Sequence, residues 1–198
     1  MHIKFYKGDA LKKLKEIPDE SIDCIVTSPP YWGLRDYGKS GQLGVEKTHQ
    51  EYINKLCDIF DEIKRVLKKD GTCWVNIGDT YSHKRESGMQ GKNGQRAGRR
   101  FTANGFKTQS DFQDKSLLQI PSRFAIEMSN RGWILRNEII WHKPNCMPSS
   151  ATDRFTVDFE KIFFFVKSKK YFFETQYEDA TYTDSRKDKG LIKYENRL

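Results

Sequence analysis

The segment 27–32 is the part of the sequence whose residue types and spacing could do chemistry. It reads Thr-Ser-Pro-Pro-Tyr-Trp and directly follows the compact apolar run 22–26. Two consecutive prolines fix the backbone and remove two amide donors, while the carbonyl oxygens around them remain as acceptors. The Ser28 hydroxyl and the Pro29 carbonyl could accept the hydrogens of an amino group while Tyr31 stacks on its planar ring. A stiff loop is the alternative, but the whole string after an apolar strand favours a binding site.

Two aspartates stand where other predicted strands end. Asp9 follows the alternating segment 2–6, and Asp79 follows the apolar segment 75–77. The carboxyl ends of parallel strands share one edge of a sheet, where α/β proteins bind their ligands. Asp9 is equally suited to capping a helix that begins at Ala10, and the two roles can coexist. For Asp79 the pattern favours an ordinary turn residue over a role in binding a cofactor or another ligand.

Hydrophobic periodicity predicts an α/β fold with a mostly parallel sheet flanked by helices. Apolar residues at helical spacing predict helices over 10–16, 48–68 and 121–130. Alternating or compact apolar runs predict strands over 2–6, 22–26, 72–77, 133–141, 161–166 and 171–174. The alternating order of strands and helices favours parallel pairing. Residues 168–170 are expected to turn the last two strands into a C-terminal antiparallel hairpin.

A basic, glycine-rich segment interrupts this alternation. The sequence divides into a first part of the core (1–80), a flexible insertion (81–115), the remainder of the core with its hairpin (116–180) and a polar tail (181–198). From His83 to Lys115 there are eight Lys and Arg, three Asp and Glu, and five Gly. Such a segment can neutralise nucleic-acid phosphates, and the alternative is a solvated loop. The side chains predicted to neutralise phosphates are Lys84, Arg85, Lys92, Arg96, Arg99, Arg100 and Lys107.

Composition and charge restrict the class of protein. The 198 residues carry 35 Lys and Arg against 27 Asp and Glu, a formal charge of +8, which favours a polyanionic partner. The four Cys and four His form no CxxC pair and no paired-ligand motif, so we expect neither a metal site nor a disulfide framework. The sequence has no signal-peptide core and no apolar run of membrane-spanning length, so we expect a soluble protein of the reducing cytoplasm.

The string Ser28-Pro29-Pro30-Tyr31 resembles the catalytic motif of the amino-methylating DNA methyltransferases. Matching stretches cover most of the first 175 residues, at 7–11, 32–38, 65–68, 76–81 and 139–145. The early position of the motif is similar to the permuted beta group, in which the cofactor-binding strand follows the catalytic region. The resemblance implies a Rossmann-like fold that uses S-adenosylmethionine to methylate the exocyclic amino group of a base flipped out of double-stranded DNA.

The resemblance also implies roles for individual residues. The catalytic residues would be Ser28, Pro29, Pro30 and Tyr31. The cofactor contacts would be Asp9, Ser28 and Asp79. The DNA contacts would be Trp32, Lys84, Arg85, Arg96, Arg99, Arg100 and Lys107. Serine at the first motif position resembles enzymes that act on N4 of cytosine, whereas Asp or Asn there accompanies N6 of adenine, so cytosine is favoured.

One element of the family is missing from this sequence. Members of the permuted group carry a Phe-x-Gly-x-Gly turn that cradles the methionine part of the cofactor, and the chain has no such turn. We therefore expect an incomplete methyltransferase fold, either truncated, half of a split enzyme or a degenerate copy. A homodimer or a second chain bearing the turn would complete it, whereas a degenerate copy would bind DNA without catalysis. Methylation of RNA or of a protein amide is the remaining alternative.

Overall fold

The computed structural model describes residues 3–35, 37–82, 112–149 and 151–175. These residues form three helices, which are α1 (Ala10–Leu14), α2 (His49–Val66) and α3 (Ile120–Asn130). They also form four strands, which are β1 (Ile22–Thr27), β2 (Leu67–Ile77), β3 (Ile134–His142) and β4 (Phe159–Val166). All seven elements were predicted from the sequence, with differences at their ends.

The four strands form one sheet in the order β1-β2-β4-β3. β1 and β2 are parallel, whereas β4 runs antiparallel to both β2 and β3. The predicted α/β class, one sheet flanked by helices, is confirmed, but the expectation of a mostly parallel sheet is wrong for the described strands. No helix lies among the described residues between β3 and β4, and β4 returns in the opposite direction between β2 and β3.

The predicted N-terminal strand is absent from the structure. Residues 3–7 are described but form no strand, and the side chain of Phe5 is 90% exposed. An alternating segment forms a strand only where a neighbouring strand can exchange backbone hydrogen bonds with it. Residues 3–7 make no such pairing with the described residues.

The predicted C-terminal hairpin is also wrong. Residues 171–175 form no strand, and the Phe172 amide donates a hydrogen bond to the Asp70 carbonyl of β2. Phe173 stacks on Phe164 of β4 at 6.0 Å between ring centroids. The segment therefore packs over a face of the sheet, and β4 takes β2 and β3 as its antiparallel neighbours.

Helix α2 supplies the largest helical face of the core. Its first turn is capped by Thr48, whose hydroxyl accepts a hydrogen bond from the Glu51 amide at 3.1 Å. Its buried side chains recur every three or four residues and are Tyr52, Ile53, Leu56, Cys57, Phe60, Ile63 and Val66. Of the described helices, none combines the length and the apolar character needed to cross a membrane.

The core between α2, α3 and the sheet is aromatic. The ring of Phe124 on α3 lies 5.2 Å from that of Phe60 on α2 and 6.0 Å from that of Phe165 on β4, measured between centroids. Both pairs meet edge to face, a geometry that contributes about 0.5–1.5 kcal/mol beyond burial. On the other face of the sheet, Trp74 and Phe164 stack at 4.1 Å. The sheet is thus fixed from both sides at its two central strands.

β1 lies at one end of the sheet and pairs only with β2 among the described strands. The compact apolar run 22–26 is typical of a fully buried strand, but that interpretation is wrong here, because the side chain of Val26 is 77% exposed. The register between β1 and β2 shifts between Ile22 and Cys24. A β-carbon at Gly71 would lie 2.8 Å from the Asp23 carbonyl, so glycine permits the close approach of the two strands at this shift.

The carboxyl ends of β1, β2 and β3 and the beginning of β4 meet at one edge of the sheet, which we call the carboxyl edge. The loop after Thr27 and the residues after Ile77 leave from this edge. His142, which ends β3, pairs there with Phe159, which begins β4. Four segments that are far apart in the sequence therefore share one crevice-forming edge.

Most of the predicted basic insertion and the predicted tail cannot be placed in the fold. Residues 83–111 and 176–198 lie outside the described residues, so the flexibility expected of both segments stays a prediction. The point of attachment of the insertion is described. The Lys115 amide donates to the Ser82 carbonyl at 3.0 Å, so the two ends of the insertion are joined shortly after β2 leaves the carboxyl edge.

Candidate active site

The loop after β1 places the Ser28 hydroxyl and the Tyr31 ring at the carboxyl edge. Ser28 and Pro30 are exposed, whereas Pro29 and Tyr31 are half-buried. From α2, the fully buried Tyr52 donates its hydroxyl hydrogen to the Pro30 carbonyl at 2.9 Å. Burial raises the pKa of Tyr52 far above its usual range, so the phenol stays protonated and remains a donor. The second proline is thereby tied to the core.

Gly44 supports the same loop from behind. Its carbonyl accepts a hydrogen bond from the Gly33 amide at 2.8 Å, and its own amide donates to the buried carboxylate of Glu46 at 2.9 Å. A β-carbon at Gly44 would lie 2.8 Å from the Tyr31 carbonyl oxygen, and its φ of +95° disfavours other residues. Glycine at this position lets the backbone carry Tyr31 to the edge.

Trp32 belongs to the core, which corrects the predicted contact with DNA. Its side chain is 3% exposed, and its indole nitrogen donates to the Glu46 carbonyl at 3.0 Å. The ring also meets that of His49 edge-on, with centroids 6.2 Å apart. The turn after Tyr31 folds the indole inward, where it buries a large apolar surface. Trp32 therefore supports the loop from below and is not available to a nucleic acid in this structure.

A polar cluster joins the loop to β2 and β4. The Tyr31 hydroxyl lies 2.8 Å from Asn76 Oδ1 and 3.0 Å from Glu160 Oε2. The Ser28 hydroxyl lies 3.3 Å from the Tyr31 hydroxyl and 3.4 Å from Asn76 Oδ1. The second carboxylate oxygen of Glu160 accepts from the Lys143 ammonium at the end of β3. We call these five residues the edge cluster.

Protonation states in the edge cluster follow from these contacts. Burial raises the pKa of Tyr31, and the nearby charge of Glu160 raises it further, against a hydrogen bond from Ser28 that lowers it. Burial also acts to raise the pKa of Glu160, but hydrogen bonds from Lys143, Tyr31 and Asn76 outweigh it, and the pKa lies below its usual value. Near neutral pH the cluster therefore contains a neutral phenol beside an ionised carboxylate.

The ring of Tyr31 rests on the glycine that follows β2. A β-carbon at Gly78 would lie 2.6 Å from Cε2 and 2.9 Å from Cδ2 of Tyr31. Contacts shorter than 3.0 Å do not occur between such atoms, so any larger residue would displace the ring. Gly78 and the edge cluster together fix the plane and the hydroxyl of Tyr31.

A cleft of about 270 Å³ opens in front of this loop. Its lining residues are Ser28, Pro29, Pro30, Tyr31, Leu34, Arg35 and Tyr37. Among the described residues, no group donates a hydrogen bond to the Pro29 carbonyl, whereas the Pro30 carbonyl is taken by Tyr52. The cleft thus offers the Ser28 hydroxyl and the free Pro29 carbonyl as acceptors, beside the polar side chains of Arg35 and Tyr37 and the apolar lining, a combination suited to a planar ring with an amino group.

Asp79 has a structural role that the sequence did not reveal. Its Oδ1 accepts from the Thr80 amide at 2.9 Å and from the Ile120 amide at 3.0 Å. The residue before α3, Gln119, makes no side-chain cap, so Asp79 supplies the acceptor that the first turn of α3 needs. Desolvation by the surrounding protein raises its pKa, although these amide hydrogen bonds act to lower it.

Asp9 caps α1, one of the two roles predicted for it. Its Oδ1 accepts from the Lys12 amide at 3.0 Å, and the residue is exposed. Among the described residues its second oxygen has no hydrogen-bond partner, so the cap and a ligand contact are compatible.

Sequence reasoning missed three residues that shape the site. Glu160 received no role, Asn76 was noticed only as part of a matching string, and Tyr52 only as an apolar helix position. One signal for Glu160 was available, because an acidic side chain near the start of a strand rich in phenylalanine needs a partner when it is half-buried. The predicted DNA contacts at Lys84, Arg85, Arg96, Arg99, Arg100 and Lys107 lie outside the described residues, as does Lys92.

Comparison with known protein families gives one consistent result. The family model for N6/N4 methyltransferases, described as DNA methylase, matches residues 22–196. The type II methyltransferase M.SmaI of Serratia marcescens is 41% identical over 186 residues, which cover 94% of this chain and 63% of M.SmaI. M.Cfr9I of Citrobacter freundii is 46% identical over 175 residues, which cover 85% of this chain and 56% of M.Cfr9I. The chain spans somewhat more than half the length of these relatives.

Solved structures show the same fold at lower identity. The PvuII DNA methyltransferase, which is cytosine-N4-specific, aligns with a TM-score of 0.57 at 20% identity over 98% of this chain and 64% of its own. TTHA0409 of Thermus thermophilus, in complex with S-adenosyl-L-methionine, aligns with a TM-score of 0.55 at 22% identity over 85% of this chain and 55% of its own. These likenesses show the fold and confirm the predicted methyltransferase-like architecture.

Proposed function

The chain belongs to the N6/N4 DNA methylase family, and we propose that it transfers a methyl group from S-adenosylmethionine to the exocyclic amino group of a base flipped out of duplex DNA. N4 of cytosine is the proposed target in preference to N6 of adenine. The observation that supports this most directly is the Ser28 hydroxyl, exposed beside the free Pro29 carbonyl and the Tyr31 ring at the carboxyl edge.

An amino group on an aromatic ring is a poor nucleophile, because the lone pair of its nitrogen is delocalised into the ring. Ser28 Oγ and the Pro29 carbonyl would accept its two hydrogens and turn the lone pair out of the ring plane, and stacking on Tyr31 would hold the base in that orientation. S-adenosylmethionine supplies an electrophilic methyl group. The methylated nitrogen is acidic and can release its extra proton to water, so the site needs no strong general base.

The preference for cytosine is supported by the first residue of the motif. Ser28 occupies the position at which serine accompanies N4 methylation in the family that the sequence resembles. The PvuII enzyme, whose fold this chain shares, is itself cytosine-N4-specific. Both cytosine and adenine carry an amino group beside a ring nitrogen, so the identity of the methylated nucleoside is the deciding measurement.

The DNA side of the proposal rests on the attachment of the basic insertion. Its two ends are joined at Ser82 and Lys115, a few residues beyond Asp79 at the carboxyl edge. Lys and Arg side chains on a segment that starts here could reach the phosphates around a flipped base, and Gly residues would let the segment order on binding. Binding of this kind weakens steeply as salt rises.

The described residues fit one part of S-adenosylmethionine. The exposed Asp9 carboxylate has a free oxygen for the adenine amino group, and Asp79 could contribute only through its Oδ2, since its Oδ1 is taken. The methionine part has no counterpart of the glycine turn in this sequence. The edge of β1 is unpaired among the described strands, so we propose that further strands add there, from the same polypeptide or from a second chain.

The test is methyl transfer from labelled S-adenosylmethionine to plasmid DNA, followed by digestion and identification of the labelled nucleoside. The expected product is N4-methyldeoxycytidine. If none forms, calorimetry shows whether the chain binds S-adenosylmethionine. A chain that does not bind the cofactor but still binds DNA in a salt-sensitive way would contradict catalysis by this chain alone and favour a half-enzyme. Label in N6-methyldeoxyadenosine would overturn the choice of base, and label in protein would overturn DNA as the substrate.

A further inference from the structure

We infer that Asn76 and Glu160 are positioning residues that turn the Ser28 hydroxyl into a hydrogen-bond acceptor toward the cleft, so that the site selects an amino group over a carbonyl oxygen on the base. This inference rests on the proposed function and extends it to specificity. The argument depends on where each hydrogen in the edge cluster can point.

The orientation of the Asn76 amide is set by β4. Its Nδ2 donates to the Lys161 carbonyl at 3.3 Å, and a carbonyl oxygen can only accept. The amide nitrogen therefore faces β4, and Oδ1 faces the loop. Tyr31 Oη lies 2.8 Å and Ser28 Oγ 3.4 Å from this oxygen. Asn76 thus presents an acceptor, and not a donor, to both hydroxyls.

Glu160 presents a second acceptor to the same pair of hydroxyls. Its Oε2 lies 3.0 Å from Tyr31 Oη, and its other oxygen is held by Lys143. The Lys143 ammonium also lies over the ring of Trp141, 4.8 Å from its centroid, which keeps the lysine at this place. An ionised carboxylate accepts hydrogen bonds and donates none.

Two acceptors therefore face two hydroxyl hydrogens. The single hydrogen of Tyr31 satisfies either Glu160 or Asn76. The Ser28 hydrogen then points to Asn76 Oδ1 or to Tyr31 Oη, at 3.4 or 3.3 Å, and both directions lead into the cluster. In each arrangement the lone pairs of Ser28 are left for the cleft.

An acceptor at this point discriminates between bases that differ in one group. Cytosine carries an amino group where uracil carries a carbonyl oxygen, and adenine differs from hypoxanthine in the same way. The amino group donates to Ser28, whereas a carbonyl oxygen would face another acceptor and lose its hydrogen bond with water. The edge cluster would thereby reject the oxo counterpart of the target base.

The central variant is Glu160→Gln, which removes the carboxylate but keeps its shape. The amide can donate to Tyr31 Oη, Tyr31 can then turn its hydrogen to Asn76, and the Ser28 hydrogen is free to face the cleft. The readout is a ratio that measures the preference for the amino base. Its numerator is the inhibition constant of a duplex whose target base is replaced by the oxo counterpart, and its denominator is the KM of the normal duplex. This ratio should fall about tenfold in Glu160→Gln, the size of one hydrogen bond.

The matched control is Asp158→Asn. Asp158 lies at the same edge, and its carboxylate is paired with His142 at 3.7 Å. Its contact with the edge cluster is made by its backbone carbonyl, which accepts from the Lys143 amide and is kept in the variant. Its replacement should leave both the preference and the rate unchanged. If Glu160→Gln does not fold, the double variant Tyr31→Phe/Asn76→Ala takes its place, because it removes both acceptors that the Ser28 hydrogen can reach, and it should lower the ratio in the same direction.

A second readout is independent of methyl transfer. The chemical shift of the Tyr31 Cζ nucleus, assigned by comparison with Tyr31→Phe, reports the hydrogen bonding of its hydroxyl at neutral pH. It should change in Glu160→Gln and not in Asp158→Asn. If the wild-type chain transfers no methyl group, the proposed function fails and this shift alone decides the inference. An unchanged shift, or an unchanged preference in an active and folded Glu160→Gln, would overturn it.

Discussion

The aromatic core and the edge cluster are both assembled from residues that lie far apart in the sequence, but different forces hold them. Phe60, Phe124 and Phe165 are almost completely buried, and their interaction is the removal of large apolar surfaces from water. Tyr31 and Glu160 are only half-buried, and each hydrogen bond of the edge cluster contributes about 0.5–1.5 kcal/mol to stability. The core stabilises the fold, whereas the cluster directs a few hydrogen atoms.

This difference implies that stability and chemistry can be changed separately. Substitutions in the core should alter the free energy of unfolding and leave the chemistry of the remaining folded protein intact. Substitutions in the edge cluster should alter methyl transfer with little change in unfolding. Gly78 and Tyr52 connect the two regions, so their variants show how far the separation holds.

The largest effect on stability is expected from Phe124→Ala. The side chain is fully buried among three other phenylalanines, so its loss leaves a cavity and should lower the free energy of unfolding by about 3–5 kcal/mol. Urea denaturation measures this. Phe155→Ala, at a position that is 96% exposed, serves as the control and should change stability by less than about 0.5 kcal/mol. Equal effects of the two variants would contradict the assignment of the core.

Gly78→Ala should have the next largest effect. The new β-carbon would meet the Tyr31 ring at 2.6 Å, so the ring must move, at a cost of about 1–3 kcal/mol in the free energy of unfolding. Methyl transfer should fall as well, because the displaced ring no longer lines the cleft. In a Tyr31→Ala background the same substitution should cost little. If it costs the same in both backgrounds, the clash is not with Tyr31.

Tyr52→Phe tests the connection from the core to the loop. The ring remains in place but the hydroxyl no longer donates to the Pro30 carbonyl, so stability should fall by about 0.5–1.5 kcal/mol. Tyr171→Phe is the control, since its hydroxyl only accepts from the exposed Arg136 at 2.8 Å, and its effect should be smaller. A larger loss in Tyr171→Phe would show that the buried bond does not hold the loop.

The smallest expected effect is a pH dependence of stability that arises from Glu160. In the folded chain its pKa lies below the ordinary value of 4.5, so the ionised carboxylate stabilises the fold above about that pH. This contribution is lost as the pH falls through the folded-state pKa. Glu160→Gln should therefore be less stable than the wild-type chain at neutral pH, and the two should converge in acid. Urea denaturation at several pH values measures the difference in the free energy of unfolding between the two chains. A difference that widens in acid would contradict the depressed pKa.

Local sequence pattern predicted the elements of the fold but not their pairing. The apolar spacing of α2 identifies its buried face without reference to any other segment. The direction of β4 depends on which strand it meets, and nothing within 159–166 encodes that it enters between β2 and β3. The segments 2–6 and 171–174 have strand-like apolar patterns, the first alternating and the second compact, yet residues 3–6 and 171–174 pair with no strand among the described residues.

The candidate site shows the same limit at the level of single residues. Ser28 and Tyr31 were found because their motif is contiguous and ends a strand. Glu160 and Asn76 could not be assigned, because their contact with Tyr31 exists only once β2 and β4 are paired. Trp32 was misassigned because an aromatic residue beside a motif gives no indication of whether its turn points inward or outward.

The central claim is that Ser28 accepts a hydrogen of the amino group during methyl transfer. The most direct test compares the single-turnover rate of methyl transfer in Ser28→Ala with that in Ser168→Ala, a partly exposed serine just beyond the end of β4 that is remote from the carboxyl edge. Loss of one preorganised hydrogen-bond partner at the reacting atom should slow Ser28→Ala by about 10²–10³-fold, with stability and the Ser168→Ala rate unchanged. A folded Ser28→Ala that transfers methyl groups as fast as the wild-type chain would contradict the account.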